Sequence, residues 1–81
     1  MEKVYIVVSL YHDDGLREYD VEGVYRSRER AKKKLREIVD ESVSFAEATN
    51  PDVEEDYACT SKDWSDDKWL ELYIIEREVE R

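Results

Sequence analysis

Histidine and cysteine are the side chains most often recruited for acid–base, nucleophilic and metal chemistry, and this chain has one of each, His12 and Cys59. Asp13 and Asp14 adjoin His12, but a zinc site requires spaced soft ligands that the stretch lacks. His12 reads as a polar residue at a strand end beside a turn. A nucleophilic cysteine needs a base and surroundings that stabilise its thiolate. The only histidine is far from Cys59 in sequence, and Cys59 reads as a non-catalytic thiol in a polar segment. The acidic residues Asp52, Glu54, Glu55 and Asp56, with Asp63, Asp66 and Asp67 after them, do not follow a calcium loop, which alternates its carboxylates around a central glycine. There is no glycine-rich phosphate loop, no metal-ligand spacing and no acid–base pair. An enzyme is the least expected class, and neither metal nor cofactor is expected.

Charge is the more informative pattern. The 81 residues carry a net charge of −9, which opposes simple binding to nucleic acid or to an anionic membrane. Seven basic residues nevertheless crowd between Arg26 and Arg36 against Glu29 alone, a local balance of +6 that leaves −15 for the rest. The basic patch Arg28, Arg30, Lys32, Lys33, Lys34 and Arg36 falls on the first half of a predicted helix, the end where the helix dipole disfavours cations. Lys33–Glu37 and Arg36–Asp40 pairs would offset part of that cost. The patch reads either as a solvated face neutralised by the acidic remainder, or as a contact for an acidic partner, RNA or a second copy. The acidic residues between Asp52 and Asp67 read likewise as a solvated loop or, more sharply, as an array imitating nucleic-acid phosphates.

These groups must be positioned by few elements. Lys3 to Tyr11 is a strand pattern, apolar on both faces and therefore central in its sheet. Asp14-Gly15 is a hairpin signal, and Tyr19 to Tyr25 is a half-exposed return strand in which Gly23 marks a bulge or a close backbone approach. Ser27 is the expected N-cap of one long helix from about Arg28 to about Ala48. Its apolar stripe is Ala31, Leu35, Ile38, Val39, Ser42, Phe45 and Ala46, and Asn50-Pro51 ends it. Tyr57 to Thr60 suggests a short strand and Ser61 to Lys68 a polar loop or single helical turn. Trp69 to Val79 is the last strand, placed beside the first. The expected fold is α+β: a small antiparallel sheet in one domain, residues 1–81, with one long helix across one face. Val4, Ile6, Val8, Leu10, Leu70, Leu72 and Ile74 are expected to meet that helix. Tyr5, Tyr11, Trp69 and Tyr73 are expected on the other face, either open or covered by the loop from Asn50 to Lys68 that carries Trp64.

The run Val21–Ala31 contains Val24, Ser27, Glu29 and Ala31 in a "Val-x-x-Ser-x-Glu-x-Ala" arrangement at the hairpin–helix junction. Together with the ending Trp69–Val79, it resembles small phage- and prophage-type proteins of unknown function. That resemblance implies the hairpin–helix–strand layout and a mobile-element origin, and it supplies no catalytic residues. The lone cysteine and the absence of an export signal after Met1-Glu2-Lys3 suit a reducing cytoplasm. No apolar run approaches a membrane span.

The expectation is a non-enzymatic acidic interaction protein that binds and modulates another protein. Its sharpest form inhibits a host nucleic-acid-binding defence system, of the anti-restriction or anti-CRISPR kind, through Asp52, Glu54, Glu55, Asp56, Asp63, Asp66 and Asp67. Trp64, Trp69, Tyr5 and Tyr73 would be its aromatic contacts. The rivals are a homodimer joined through the aromatic sheet face, and nucleic-acid binding through residues 26–36. A helix broken in two, or a pocket gathering His12, Cys59 and carboxylates, would direct attention to catalysis instead.

Overall fold

A computed structural model describes residues 2–48, 50–60 and 68–79. In chain order the elements are β1 (Glu2–Asp13), β2 (Leu16–Tyr25), α1 (Arg28–Glu41), α2 (Val43–Glu47), β3 (Asp52–Val53), β4 (Tyr57–Cys59) and β5 (Lys68–Val79). Asp14 and Gly15 alone turn β1 into β2: Asp13 stands opposite Leu16, and the two turn residues have φ of +50° and +86°. That left-handed pair matches the twist of the flanking strands, and aspartate and glycine adopt it most readily. The fold is α+β, mostly a five-stranded antiparallel sheet, with two helices.

The sheet order is β2-β1-β5-β4-β3. β1 and β5 are both internal and pair over their whole length, from Glu2 opposite Val79 to Asp13 opposite Lys68. Their central place and adjacency follow the expectation from their two-sided apolar character. The β1–β2 register shifts between Val7, opposite Gly23, and Val8, opposite Val21, so a bulge falls beside the glycine. β3 is a two-residue strand, too short for a sequence pattern to mark. It is closed onto β4 by the Glu54 amide donating to the Tyr57 carbonyl at 2.7 Å. Past β4, the buried Thr60 exchanges two bonds with Leu70: its amide donates to the Leu70 carbonyl at 3.0 Å, and its Oγ1 accepts from the Leu70 amide at 2.9 Å.

Two expectations are corrected. The single helix to Ala48 is two helices, broken at Ser42, whose backbone is extended (φ −78°, ψ 127°). The Ser42 amide still bonds the Ile38 carbonyl at 2.9 Å, and its own carbonyl accepts from Ala46 at 3.1 Å. Val39, Ser42, Val43 and Ser44 make a run of weaker helix formers, and the kink lets Phe45 tuck into the core while Val43 points to solvent. Ser27 holds the N-cap position, but its side chain makes no capping bond.

The second correction concerns which face of β1 is covered. The buried cluster is Val7, Ala31, Leu35, Phe45, Ala58 and Leu72, with Tyr5, Tyr25, Ile38, Val39, Val53, Leu70 and Ile74 packed around it. Val7 stands opposite Ile74, and Ser9 opposite Leu72. Directly opposed residues share a face, so the odd residues of β1, not Val4, Ile6, Val8 and Leu10, join Leu70, Leu72 and Ile74 under α1. Tyr5 and Tyr11 therefore lie on the helix side.

Candidate protein-binding surface

The face turned away from α1 is a grid that the register defines. Its rows are Val24, Ile6 and Ile75; then Val21, Val8, Tyr73 and Tyr57; then Tyr19, Leu10, Glu71 and Cys59; then Arg17, His12 and Trp69. Val8, Leu10 and His12 in its middle are buried. Exposure gathers at the β2 margin, where Tyr19 is 65%, Val21 60% and Val24 58% accessible. Trp69 and Tyr73 occupy this face as expected, but they and Tyr5 are half-buried. Among the described residues Tyr19 is the exposed ring instead. Burial raises the Tyr73 hydroxyl above its ordinary range, with the Tyr19 hydroxyl as the next cause.

Two features direct attention to catalysis: the helix is broken at Ser42, and His12, Glu71 and Cys59 share this face. The His12 ring stacks on Trp69 with centroids 4.0 Å apart and planes 17° from parallel. Among the described residues its buried Nε2 has no hydrogen-bond partner, and the nearest Glu71 oxygen is 4.0 Å away. That oxygen accepts from Trp69 Nε1 at 3.3 Å. Cys59 stands beside Glu71 on β4, with β5 between it and the strand of His12. Two strand spacings are about 9.6 Å, too far for His12 to take a proton from the thiol directly. The cross-strand neighbours of Cys59 are the acids Glu71 and Asp52, the opposite of the electropositive surroundings that activate a thiol. Tyr57, hydrogen-bonded to Cys59, is driven above the ordinary tyrosine range, first by burial, then by that bond and by the charges around it. Among the described residues, no group of three or more His, Cys, Asp or Glu is placed to hold a metal.

The two charged segments singled out in the sequence meet one another. Arg28 Nη2 lies 3.1 Å from Asp56 Oδ2, and Lys32 Nζ lies 3.1 Å from Glu55 Oε2 and 3.8 Å from Glu29. The 52–56 acids therefore partly neutralise the basic helix instead of forming a free array. Asp52 and Glu54 remain exposed. Asp63, Trp64, Asp66 and Asp67 lie outside the described residues. On α1, Arg36 pairs with Asp40 at 3.5 Å, while Lys33 and Glu37 form no ion pair among the described residues. Arg30, Lys33 and Lys34 line a shallow hollow with Tyr25 and Glu37. A groove of about 490 Å³ between α1 and β3–β4 is lined by both signs of charge, Lys32, Lys33 and Arg36 against Glu29, Glu54 and Glu55.

Uncancelled acid sits elsewhere, on the β1–β2 hairpin. Asp13, Asp14, Glu18 and Asp20 have no cation at ion-pair distance among the described residues. Glu22 accepts from Ser9 Oγ at 3.0 Å. Glu18 and Asp20 project to the α1 side of the sheet, opposite Tyr11 and Ser9, while Tyr19 and Val21 project to the other. An acidic row and an apolar row thus run along one strand. The sequence did carry this signal, as the alternation Glu18-Tyr19-Asp20-Val21; Leu16 and Arg17 before it reverse the pattern, and the denser acid after Asn50 obscured it.

No helix of the described residues is long and apolar enough to cross a membrane. Neither a curated protein nor a solved structure matches the chain. Residues 2–67 match a family described only as a domain of unknown function, DUF7336, and the chain belongs to that family.

Proposed function

We propose that this domain is a non-enzymatic interaction protein that binds a basic surface of another protein through its β1–β2 hairpin. The observation that carries the reading is the juxtaposition on β2 of Glu18 and Asp20, which form no ion pair among the described residues, with exposed Tyr19 and Val21. Carboxylates supply a long-range field that accelerates encounter with a cationic partner, and the neighbouring apolar side chains supply area to desolvate on contact. Nucleic acid itself is a poor partner for a chain of net charge −9.

In its finer form the reading is nucleic-acid mimicry. The hairpin carboxylates stand in for phosphates in the basic groove of a host defence protein, in the manner of an anti-restriction or anti-CRISPR factor of phage origin. The acids at 52–56 play a smaller part than the sequence alone suggests, because Arg28 and Lys32 engage two of them.

The test is competition. The immobilised domain is exposed to nuclease-treated bacterial lysate, then washed with short double-stranded DNA or with an uncharged polymer. Nucleic-acid-binding proteins released by DNA alone, and not retained by a Glu18→Lys/Asp20→Lys variant, are the expected result. Retention that the charge reversal leaves unchanged refutes the proposal, as does release that DNA does not promote.

A further inference from the structure

β2 is the end strand of the sheet, with β1 on one side and no strand on the other among the described residues. It is ten residues long, whereas β3 at the opposite end has two. Every residue from Leu16 to Val21 is exposed. Proteins usually blunt such an edge, since its outward amides and carbonyls can template another chain.

The distribution of charge along this edge discriminates between possible occupants. Two copies paired antiparallel about a two-fold axis bring residues of the same side-chain direction opposite one another, so in a regular run the axis passes through a residue. Centred on Arg17, Glu18 or Asp20, the pairing sets that charged residue against itself. Centred on Tyr19 it sets Glu18 against Asp20, and past Val21 the bulge ends the regular run. Like charges directly opposed are destabilising in a sheet, so each of these registers is disfavoured for a second copy. The same charges favour a strand of opposite sign.

We propose that β2 takes up an extended segment of a partner protein as a sixth strand, and that this segment alternates basic with apolar side chains. The proposal rests on the protein-binding reading above and specifies its partner chemistry. Alternation is required because β2 itself alternates. One row of the incoming strand faces Glu18 and Asp20, and the other lies beside Tyr19 and Val21. Main-chain hydrogen bonds give such an addition its affinity, and the side-chain rows give it selectivity.

Three labelled ten-residue peptides, matching the length of β2, test this by fluorescence anisotropy: alternating lysine and valine, the same composition with lysines and valines in separate blocks, and alternating glutamate and valine. The alternating lysine peptide is expected to bind at least about tenfold more tightly than either other. Glu18→Lys/Asp20→Lys is expected to transfer the preference to the glutamate peptide, with circular dichroism checking that the sheet persists. Tyr19→Ala, which leaves the charges in place, is expected to weaken the alternating lysine peptide and narrow its advantage over the block peptide. Equal binding of the two lysine peptides overturns the proposal, since charge alone then suffices. Absence of binding overturns it as well, and so does a β2-mediated dimer in sedimentation. If the peptides fail while DNA still displaces proteins from the immobilised domain, strand addition falls and the broader reading stands; if both fail, both fall.

Discussion

Lys32 reaches across from the first half of α1 to hold Glu55 at 3.1 Å, so the segment richest in positive charge and the hairpin after Asn50 cancel in part within one molecule. Arg28 and Asp56 make a second such contact, with both side chains about half accessible. The cations also find their counter-charge off the helix, which eases their unfavourable place near its positive end.

Arg28→Ala and Lys32→Ala should each destabilise the domain by only about 0.2–1 kcal/mol, the range for accessible ion pairs. Urea midpoints measured at low and high salt check this. The losses should shrink as salt screens the pairs, and a salt-independent loss would assign the effect to packing of the aliphatic stems.

Leu72→Ala should be far more damaging. Leu72 is completely buried in the cluster that joins α1, α2, β1 and β4, and such truncations cost about 2–5 kcal/mol. A chain of 81 residues has about 4–12 kcal/mol in total. Denaturant unfolding followed by circular dichroism should show a strongly lowered midpoint, with Phe45→Ala similar and Val43→Ala nearly silent.

Alkaline pH should weaken the fold through Tyr57. Its hydroxyl is raised above the ordinary value near 10 chiefly by burial. Above that value the unfolded chain loses the proton that the folded one keeps, so stability falls as pH rises. Stability is unaffected by this group below the unfolded value. Urea midpoints at pH 9 and pH 11 measure the slope, and Tyr57→Phe should flatten it relative to the unsubstituted protein.

Gly15→Ala should cost about 1 kcal/mol, because the φ of +86° forces a side chain into the left-handed region. Asp14→Asn at φ +50° should be tolerated. Gly23→Ala meets a different obstacle, since the added methyl would lie 2.5 Å from the Tyr25 hydroxyl and 2.7 Å from its ring. Thermal melts of the three variants separate conformational strain from crowding.

Element types were legible wherever one local pattern dominated. Val-Ile-Tyr alternation gave both long strands, and Asp14-Gly15 gave their turn. Which face of β1 meets α1 was not legible, because Val7 and Val8 are equally suitable for burial; the answer lies in the pairing of Val7 with Ile74, sixty-seven positions away along the chain. The break at Ser42 eluded periodicity because Ala31, Leu35, Ile38 and Phe45 keep helical spacing across it. For the candidate surface, composition drew attention to the residues after Asn50. Charge pairing across the fold then left the acid on β2 without an ion pair among the described residues, and no one-dimensional pattern contains those pairings.

Residues 68–79 supply the strand that separates β1 from β4. A nascent polypeptide that has emerged only as far as Thr60 therefore holds two β-hairpins linked through α1 and its Arg28–Asp56 and Lys32–Glu55 pairs but not through the sheet, and Val7 has no Leu72 or Ile74 to lie against. The hairpin and α1 can form early from neighbouring residues, but the hydrophobic centre cannot seal until this segment leaves the ribosome. Closure of β1 on β5 joins residues far apart in the chain, which slows folding relative to a chain built from local contacts and leaves the inner edge of β1 unpaired until that segment arrives.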